Sequence, residues 1–228
     1  MTTHRTVSLP SQERVLAGTL VSVDAPSGAG VLFVHGLGSS RATNEERADA
    51  VSRRHSATCL AIDLGGHGAS TGRLTQVTPR QNLADVVAAY DTLAALPGVD
   101  PDRIGVCAAS YGAYLSVLLT AFRQVNRMLL RAPALYADDC VDSALGQRRF
   151  GDPTTAPTPL AHLALFGGPV TIVESEHDEV ISHAIIASYL AALPRAGHVV
   201  QPHAGHALTD PAWRADFQRI VVEFFGTL

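Results

Sequence analysis

The sequence contains no lysine, and all 17 of its basic residues are arginines, against 21 acidic residues. Without lysine, Schiff-base catalysis and the phosphate-binding lysines of P-loop proteins and kinases are excluded. The formal net charge of −4 argues against nucleic acid or an anionic membrane as the main partner. We therefore expect no nucleic-acid partner.

Cysteine is scarce as well, with Cys59, Cys107 and Cys140 far apart and no CxxC pair. This spacing excludes a zinc ribbon and a thioredoxin-type redox site. Cys59 and Cys107 lie within apolar runs, so we expect both to behave as small buried hydrophobic residues. The pattern is typical of a protein from a reducing compartment.

The chain also lacks a continuous apolar run of the length that a membrane span requires. Its longest weakly polar stretch, residues 104–122, is interrupted by Ser110, Gly112 and Ser116. A buried strand followed by a helix explains this stretch better. Residues 1–15 have no apolar core of signal-peptide length. We expect a cytoplasmic protein with no membrane span.

Short β-branched runs alternate with longer helical patterns along the chain. An opening antiparallel hairpin includes residues 15–21; further strands are predicted at 30–34, 57–63, 103–108, 127–132, 169–174 and 198–200, and helices at 44–55, 79–96, 111–122, 182–193 and 211–225. The alternation predicts an α/β fold with a mostly parallel central sheet and helices on both faces. A length of 228 residues fits one domain, residues 1–228.

Residues 134–168 break the alternation. Paired charges at Asp138-Asp139 and Arg148-Arg149, with Pro153, Pro157 and Pro159, dilute the apolar pattern there. The segment is too long for an ordinary connection, and we expect it to form a short lid over a site.

A serine stands at a strand-to-helix turn in residues 104–112, IGVCAASYG. Such a turn lifts the hydroxyl of Ser110 above the sheet, and the helix N-terminus stabilises an anion that develops there. Small neighbours such as Gly112 let the backbone fold closely on itself. Serine is also a common helix N-cap, and Ala108 replaces the first glycine of G-x-S-x-G, so this segment alone leaves a purely structural role open.

A second turn, in residues 34–39 (VHGLGS), follows a buried strand. There Gly36 permits a turn that presents a backbone N–H to an oxyanion, and we expect Leu37 and Tyr111 to supply the two N–H donors. His35 is expected to support this loop by hydrogen bonds and not to act in catalysis.

Acidic residues and histidines follow the last two predicted strands. Glu174, Glu176 and Asp178 are candidate acids, and His203 and His206 are candidate bases. The dipeptide Gly-His before the last helix favours His206 as the base. The order serine, acid, histidine along the chain is the order of α/β-hydrolases.

Over nearly its whole length the chain resembles the α/β-hydrolase superfamily of serine hydrolases. Residues 109–114 (ASYGAY) are similar to the nucleophile elbow of dienelactone-hydrolase-like and prolyl-oligopeptidase-like enzymes. Residues 63–70 (DLGGHGAS) resemble the D-x-R-G-x-G-x-S turn of the superfamily, but Gly65 stands where arginine is usual, so a salt bridge made by that arginine is missing. The resemblance implies an α/β-hydrolase fold and places the catalytic acid at Asp178.

The implied catalytic triad is Ser110, His206 and Asp178. Neither HExxH nor HxH spacing occurs, so we expect no metal site and no cofactor. Cys107 is excluded as the nucleophile because it lies within the strand, three residues before Ser110.

These features predict an enzyme that hydrolyses a carboxylic ester or thioester through an acyl-enzyme. The alternatives are a small peptidase or amidase, an acyltransferase using the same triad, and a non-catalytic binding protein of the same fold. The sequence does not determine the oligomeric state.

Overall fold

A computed structural model describes residues 1–147 and 158–228. The strands are β1 (Thr2–Ser11), β2 (Arg14–Val23), β3 (Gly28–Val34), β4 (Thr58–Ile62), β5 (Val99–Ala109), β6 (Arg127–Arg131), β7 (Val170–Ser175) and β8 (Gly197–Gln201). The helices are α1 (Ala42–His55), α2 (Pro79–Ala94), α3 (Tyr111–Leu119), α4 (Thr158–Ala164), α5 (His183–Ala192) and α6 (Pro211–Phe224). Short 3₁₀ turns cover Asp138–Cys140, Leu145–Gln147 and Phe225–Thr227.

The eight strands form one sheet in the order β1-β2-β4-β3-β5-β6-β7-β8. β1 and β2 form an antiparallel hairpin, and β2 pairs antiparallel with β4. All the other pairs are parallel. The predicted α/β-hydrolase architecture is confirmed. Because parallel strands end at the same edge, the loops after β3, β5, β7 and β8 meet there, which is where open α/β sheets place their sites.

Helices cover both faces of the sheet, as β3 illustrates. Alternate side chains of a strand point to opposite faces. Leu32 and Val34 belong to the core under α2, α3, α4 and α5, whereas Val31 and Phe33 belong to the core under α1 and α6. All four side chains are fully buried, and this burial on both faces explains why β3 is a continuous apolar run.

Two helices begin at clear sequence signals. Thr78 and Gln81 form a capping box before α2, and Asp210 caps α6 by accepting a hydrogen bond from the N–H of Ala212. Both helices have proline in their first turn, where the missing N–H has no intrahelical partner to lose.

The described parts of the predicted lid, residues 134–147 and 158–168, pack on the fold. Leu135, Leu145 and Leu163 are buried, and the carboxylate of Asp138 accepts hydrogen bonds from the N–H and hydroxyl of Thr158 at the beginning of α4. The sequence pattern did not predict this helix, because prolines and charges obscure its short apolar face. The predicted lid also includes Arg148, Arg149, Pro153 and Pro157, which lie outside the described residues.

Among the described residues, no helix is both long enough and apolar enough to cross a membrane. Cys59 and Cys107 are buried in the core under α1 and α6, in agreement with their apolar sequence context. Burial raises the pKa of the Cys107 thiol to about 12, so this group carries no thiolate at neutral pH.

Candidate active site

Ser110 occupies the sharp turn between β5 and α3. Its backbone has φ of +51° and ψ of −117°, a conformation that residues other than glycine rarely adopt. The surroundings hold it there: its N–H donates to the carbonyl of Arg131 at 2.9 Å, and its carbonyl accepts from the N–H of Ala134 at 3.1 Å. The residue is only 9% exposed. This is the strained strand-to-helix turn that the sequence predicts.

Glycine is required at position 112 because the elbow lies directly against the end of β3. A Cβ on Gly112 would lie 2.7 Å from the carbonyl oxygen of Val34 and closer still to that of His35. Gly36 approaches the serine from the other side, since a Cβ there would lie 3.3 Å from Ser110 Cβ. The predicted oxyanion loop and the elbow are therefore in contact.

His206 reaches Ser110 from the loop after β8. Its Nε2 lies 3.1 Å from Ser110 Oγ, and its Nδ1 lies 3.0 Å and 2.9 Å from the two carboxylate oxygens of Asp178. A carboxylate only accepts, so Nδ1 carries the proton and Nε2 accepts from the serine hydroxyl. The structure thus brings together the three residues that the sequence predicts as a triad, in one continuous chain of hydrogen bonds.

The carboxylate of Asp178 is fixed by its own loop. It accepts hydrogen bonds from the N–H groups of Val180 at 2.9 Å and Ile181 at 2.8 Å. Burial raises the pKa of Asp178, but the bonds from His206, Ile181 and Val180 outweigh burial and hold the pKa below its ordinary value. Asp178 is therefore ionised at neutral pH.

The other candidate acids face different histidines. Glu174 accepts from His198 Nε2 at 2.7 Å and from His183 Nδ1. Glu176 accepts from the backbone N–H of His203 at 2.6 Å. The structure does not bring Glu174, Glu176 or His203 into the Ser110–His206–Asp178 chain.

His35 braces the loop that carries Gly36 and Leu37. Its Nδ1 donates to the carbonyl of Gly36 at 2.7 Å, and its Nε2 accepts from the N–H of Leu64 at 3.1 Å. Burial lowers the pKa of His35 to about 4, so the ring is neutral and can both donate and accept. This arrangement agrees with the supporting role predicted for His35.

The two predicted oxyanion donors belong to the two segments that meet at the serine. Leu37 follows Gly36 directly in the loop that touches Ser110, and Tyr111 is the first residue of α3. The N-terminus of α3 adds a partial positive charge at the same position. The Tyr111 side chain is buried and donates to Asn82 Oδ1 at 3.0 Å, which ties the start of α3 to α2.

Sequence analysis missed Arg131, the last residue of β6. Its guanidinium donates to the carbonyl of His206 at 2.9 Å, the carbonyl of Gly205 at 3.0 Å and the hydroxyl of Ser175 at 2.7 Å. Burial lowers its pKa to about 10, which leaves it charged at neutral pH. Arg131 thus links the end of β6 to the end of β7 and to the loop after β8. The signal that could have identified it is a charged residue at the end of a buried apolar strand.

The missing arginine at Gly65 has a substitute that sequence reasoning also missed. Arg14 of β2 fills the space above Gly65, where a Cβ would lie 2.6 Å from the Arg14 Nε. Its guanidinium pairs with the buried Asp85 at 3.0 Å, and Asp85 also accepts from the N–H of Gly65 at 2.9 Å. Gly65 itself makes no salt bridge, but the Arg14–Asp85 ion pair lies next to it.

A cleft of about 570 Å³ opens at the opposite end of the strands, where its lining includes Asp102, Asn126 and Phe166. These residues lie before β6 and around the start of β7, and Ser110 does not line the cleft. The cleft is therefore separate from the Ser110–His206–Asp178 chain.

The chain has relatives among known protein families and solved structures. Residues 25–151, more than half of the chain, match the family described as serine aminopeptidase, S33. No curated protein sequence matches the chain.

Solved structures share the fold at low sequence identity. The chain is similar to DcsB in complex with its substrate analogue (TM-score 0.77, 15% identity, 98% of each chain covered). It is also similar to an esterase of Pyrococcus furiosus (TM-score 0.76, 20% identity, 97% of this chain and 91% of that one). A third is the thioesterase domain from the curacin biosynthetic pathway (TM-score 0.73, 16% identity, 96% and 99%).

Proposed function

Because the chain belongs to the serine aminopeptidase S33 family of α/β-hydrolases, we propose that it is a serine hydrolase that cleaves carboxylic esters or thioesters. The observation that carries the proposal is the hydrogen-bond chain from Ser110 Oγ to His206 Nε2 and from His206 Nδ1 to Asp178. Nucleophile, base and orienting acid stand in the order that acyl transfer requires.

In the proposed first step, Ser110 Oγ attacks the substrate carbonyl carbon while its proton passes to His206 Nε2. Asp178 stabilises the positive imidazole ring through the bond to Nδ1–H. The tetrahedral intermediate then collapses: the bond to the alcohol or thiol breaks, His206 returns the proton to that leaving group, and an acyl-enzyme remains on Ser110.

In the second step, His206 takes a proton from water, and the resulting hydroxide attacks the acyl carbon. The second tetrahedral intermediate releases the carboxylic acid, and Ser110 recovers its proton from His206. Both intermediates carry a negative oxygen, which we place between the N–H groups of Leu37 and Tyr111. Loss of one such donor typically costs about 10²- to 10³-fold in rate.

The preference for esters and thioesters draws support from the esterase and the thioesterase domain among the structures of the same fold. A second candidate function, hydrolysis of an N-terminal aminoacyl amide, is favoured by the description of the matching family as serine aminopeptidase. The two differ in leaving group, since an amine needs its proton from His206 earlier than an alcohol or thiol does.

The test combines active-site labelling with paired substrates. The wild-type chain is treated with a fluorophosphonate probe, and hydrolysis of nitrophenyl esters of graded chain length and acyl thioesters is compared with that of aminoacyl nitroanilides. We expect labelling, and faster turnover of an ester or thioester than of any anilide. Ser110→Ala should abolish labelling and lower kcat by about 10⁴-fold or more.

Ser39→Ala is the matched control, because Ser39 lies in the loop after Leu37 and its hydroxyl contacts only Thr43, at 3.4 Å, among the described residues. This variant should label like the wild type. A folded wild type that neither labels nor turns over any substrate would contradict the proposal. Turnover of anilides alone would favour the aminopeptidase.

A further inference from the structure

Three side chains outside the Ser110 site converge where the loop after β7 meets the loop after β8. Glu176 and His177 come from the first loop, and His203 comes from the second. Glu176 Oε2 lies 3.3 Å from His203 Nδ1 and 3.8 Å from His177 Nε2, and the three donor atoms all lie within 4.8 Å of one another. In sequence the two histidines are far apart, so no metal-binding spacing is visible there.

These separations are close to those of metal ligands. Bonds of about 2.0–2.2 Å from nitrogen and oxygen to a tetrahedral ion place neighbouring ligand atoms roughly 3.4 Å apart. The Glu176–His203 pair is already at this separation, while the Glu176–His177 pair at 3.8 Å and the two imidazole nitrogens must approach further. The side chains of Glu176, His177 and His203 are 42%, 64% and 77% exposed, so small rotations suffice and little dehydration opposes binding.

The backbone already holds the two loops together at this point. The N–H of Glu176 donates to the carbonyl of Gln201 at 3.1 Å, and the N–H of His177 donates to the carbonyl of Ala204 at 2.8 Å. The N–H of His203 donates to the Glu176 carboxylate at 2.6 Å, which leaves other lone pairs of that carboxylate available. The backbone positions of the three ligands are therefore set before any ion binds.

The donor set selects the class of ion. Two imidazoles and one carboxylate suit Zn²⁺, Ni²⁺, Co²⁺ and Cu²⁺, whereas Mg²⁺ and Ca²⁺ prefer oxygen ligands alone. With three protein ligands at an exposed position, water completes the coordination. An ion held this way exchanges readily with solution.

We propose that Glu176, His177 and His203 form a binding site for a divalent transition-metal ion, which links the loop of Asp178 to the loop of His206. Asp178 follows His177 directly, and His206 lies three residues after His203. A bound ion would therefore restrain the same two loops that present the acid and the base to Ser110. The site does not depend on the proposed hydrolase activity.

A second histidine pair in the same region provides the matched control. His183 and His198 also face a glutamate, Glu174, but each bonds a different carboxylate oxygen, so their nitrogens do not converge on one point. Glu174 is buried, with a side chain only 8% exposed. This second trio should not bind an ion.

The experiment is calorimetric titration of the tag-free full chain, stripped with chelator, with ZnCl₂ and separately with NiCl₂. We expect one equivalent to bind with micromolar affinity and to raise Tm, because an ion that binds only the folded chain stabilises it. His177→Ala and His203→Ala should each weaken binding by more than about 10-fold. Glu176→Gln, a conservative replacement, should also weaken it.

The control variants His183→Ala and His198→Ala should bind as the wild type does. All variants are first compared for thermal unfolding without metal, which separates loss of a ligand from loss of the fold. Absence of binding by the wild type would overturn the proposal. So would unchanged affinity in both His177→Ala and His203→Ala, or affinity lost equally in the His183 and His198 variants.

Discussion

On the nucleophile side of the candidate site, Ser110, His35 and Gly112 are held by close backbone contacts in a buried region. On the acid–base side, Asp178 and His206 lie in two loops with exposed residues, and hydrogen bonds between side chains and backbone hold them. The first side is specified by shape, since a single added carbon at Gly112 meets two carbonyl oxygens. The second is specified by charge and hydrogen bonding.

This difference means that the two sides should fail in different ways. Interiors packed at the density of organic crystals respond to a volume change with loss of stability. Exposed loops tolerate substitution but lose the orientation of the groups they carry. Changes near Ser110 should therefore affect the fold first, and changes near Asp178 should affect the chemistry first.

The largest expected effect is on the acid–base side. Asp178→Asn keeps the shape of the side chain but removes its charge, so the His206 tautomer with a proton on Nδ1 loses its stabilisation, and kcat should fall by about 10⁴-fold. Tm should change little. Steady-state kinetics with the best ester substrate measures this. Asp210→Asn, an exposed helix cap in the loop that carries His206, should keep full activity, and equal losses in the two variants would refute the assignment.

The next effect is on the nucleophile side and concerns stability. Gly112→Ala places a Cβ against the carbonyl oxygens of Val34 and His35, which should cost about 3 kcal/mol of unfolding free energy. Gly146→Ala is the control, since a Cβ there has no atom within 4 Å among the described residues. Urea unfolding compares the two. Similar stabilities of the two variants would contradict the close contact between Gly112 and the end of β3.

Substitution of Arg131 tests whether the position of His206 can be disturbed without a matching loss of fold stability. Arg131→Met removes the donors to the His206 and Gly205 carbonyls, so the base should be misplaced and kcat should fall about 10- to 100-fold, with KM nearly unchanged. Arg131→Lys should recover part of the loss. Arg127→Met, at the other end of β6, removes bonds to Phe224 and Thr227 and should lower stability alone. Equal kinetic losses in the Arg127 and Arg131 variants would rule out a positioning role.

The smallest expected effect is the pH dependence that His35 brings. Its pKa is about 4 in the folded chain and near 6.5 when unfolded. Between these values the unfolded chain binds a proton that the folded chain excludes, so stability falls as pH falls below about 6.5. At pH 5 this loss is about 2 kcal/mol. In His35→Gln the difference in unfolding free energy between pH 7.5 and pH 5 should be smaller by that amount, and an unchanged difference would contradict the buried neutral histidine.

Much of the fold was predictable because both faces of the sheet are covered. Strands such as β3 and the second half of β5, from Ile104, are then continuous apolar runs, and the turn after each one is visible in the sequence as a change to small or polar residues. The position of Ser110 follows from this pattern. Helix α4 was missed because its few buried positions, such as Leu160 and Leu163, are surrounded by prolines and polar residues.

The candidate site was predictable where its residues follow strand ends, and not where they depend on tertiary contact. The sequence identifies Asp178 and His206 as neighbours of strand ends, while the choice of Asp178 over Glu174 came from the resemblance to a family. Arg131 touching the His206 loop, or His177 meeting His203, depends on which loops become adjacent. Periodicity carries no information about that adjacency.

Arg14 above Gly65 makes two distant positions mutually exclusive. One guanidinium fits against the turn of residues 63–70; it comes from the opening hairpin and pairs with Asp85. An arginine introduced at Gly65 would collide with Arg14, and its Cβ would also lie 2.8 Å from Asp85 Oδ2, so a smaller residue at position 14 removes only one of the two obstacles. A side chain can therefore be added at position 65 only if both the hairpin arginine and the helix carboxylate give way.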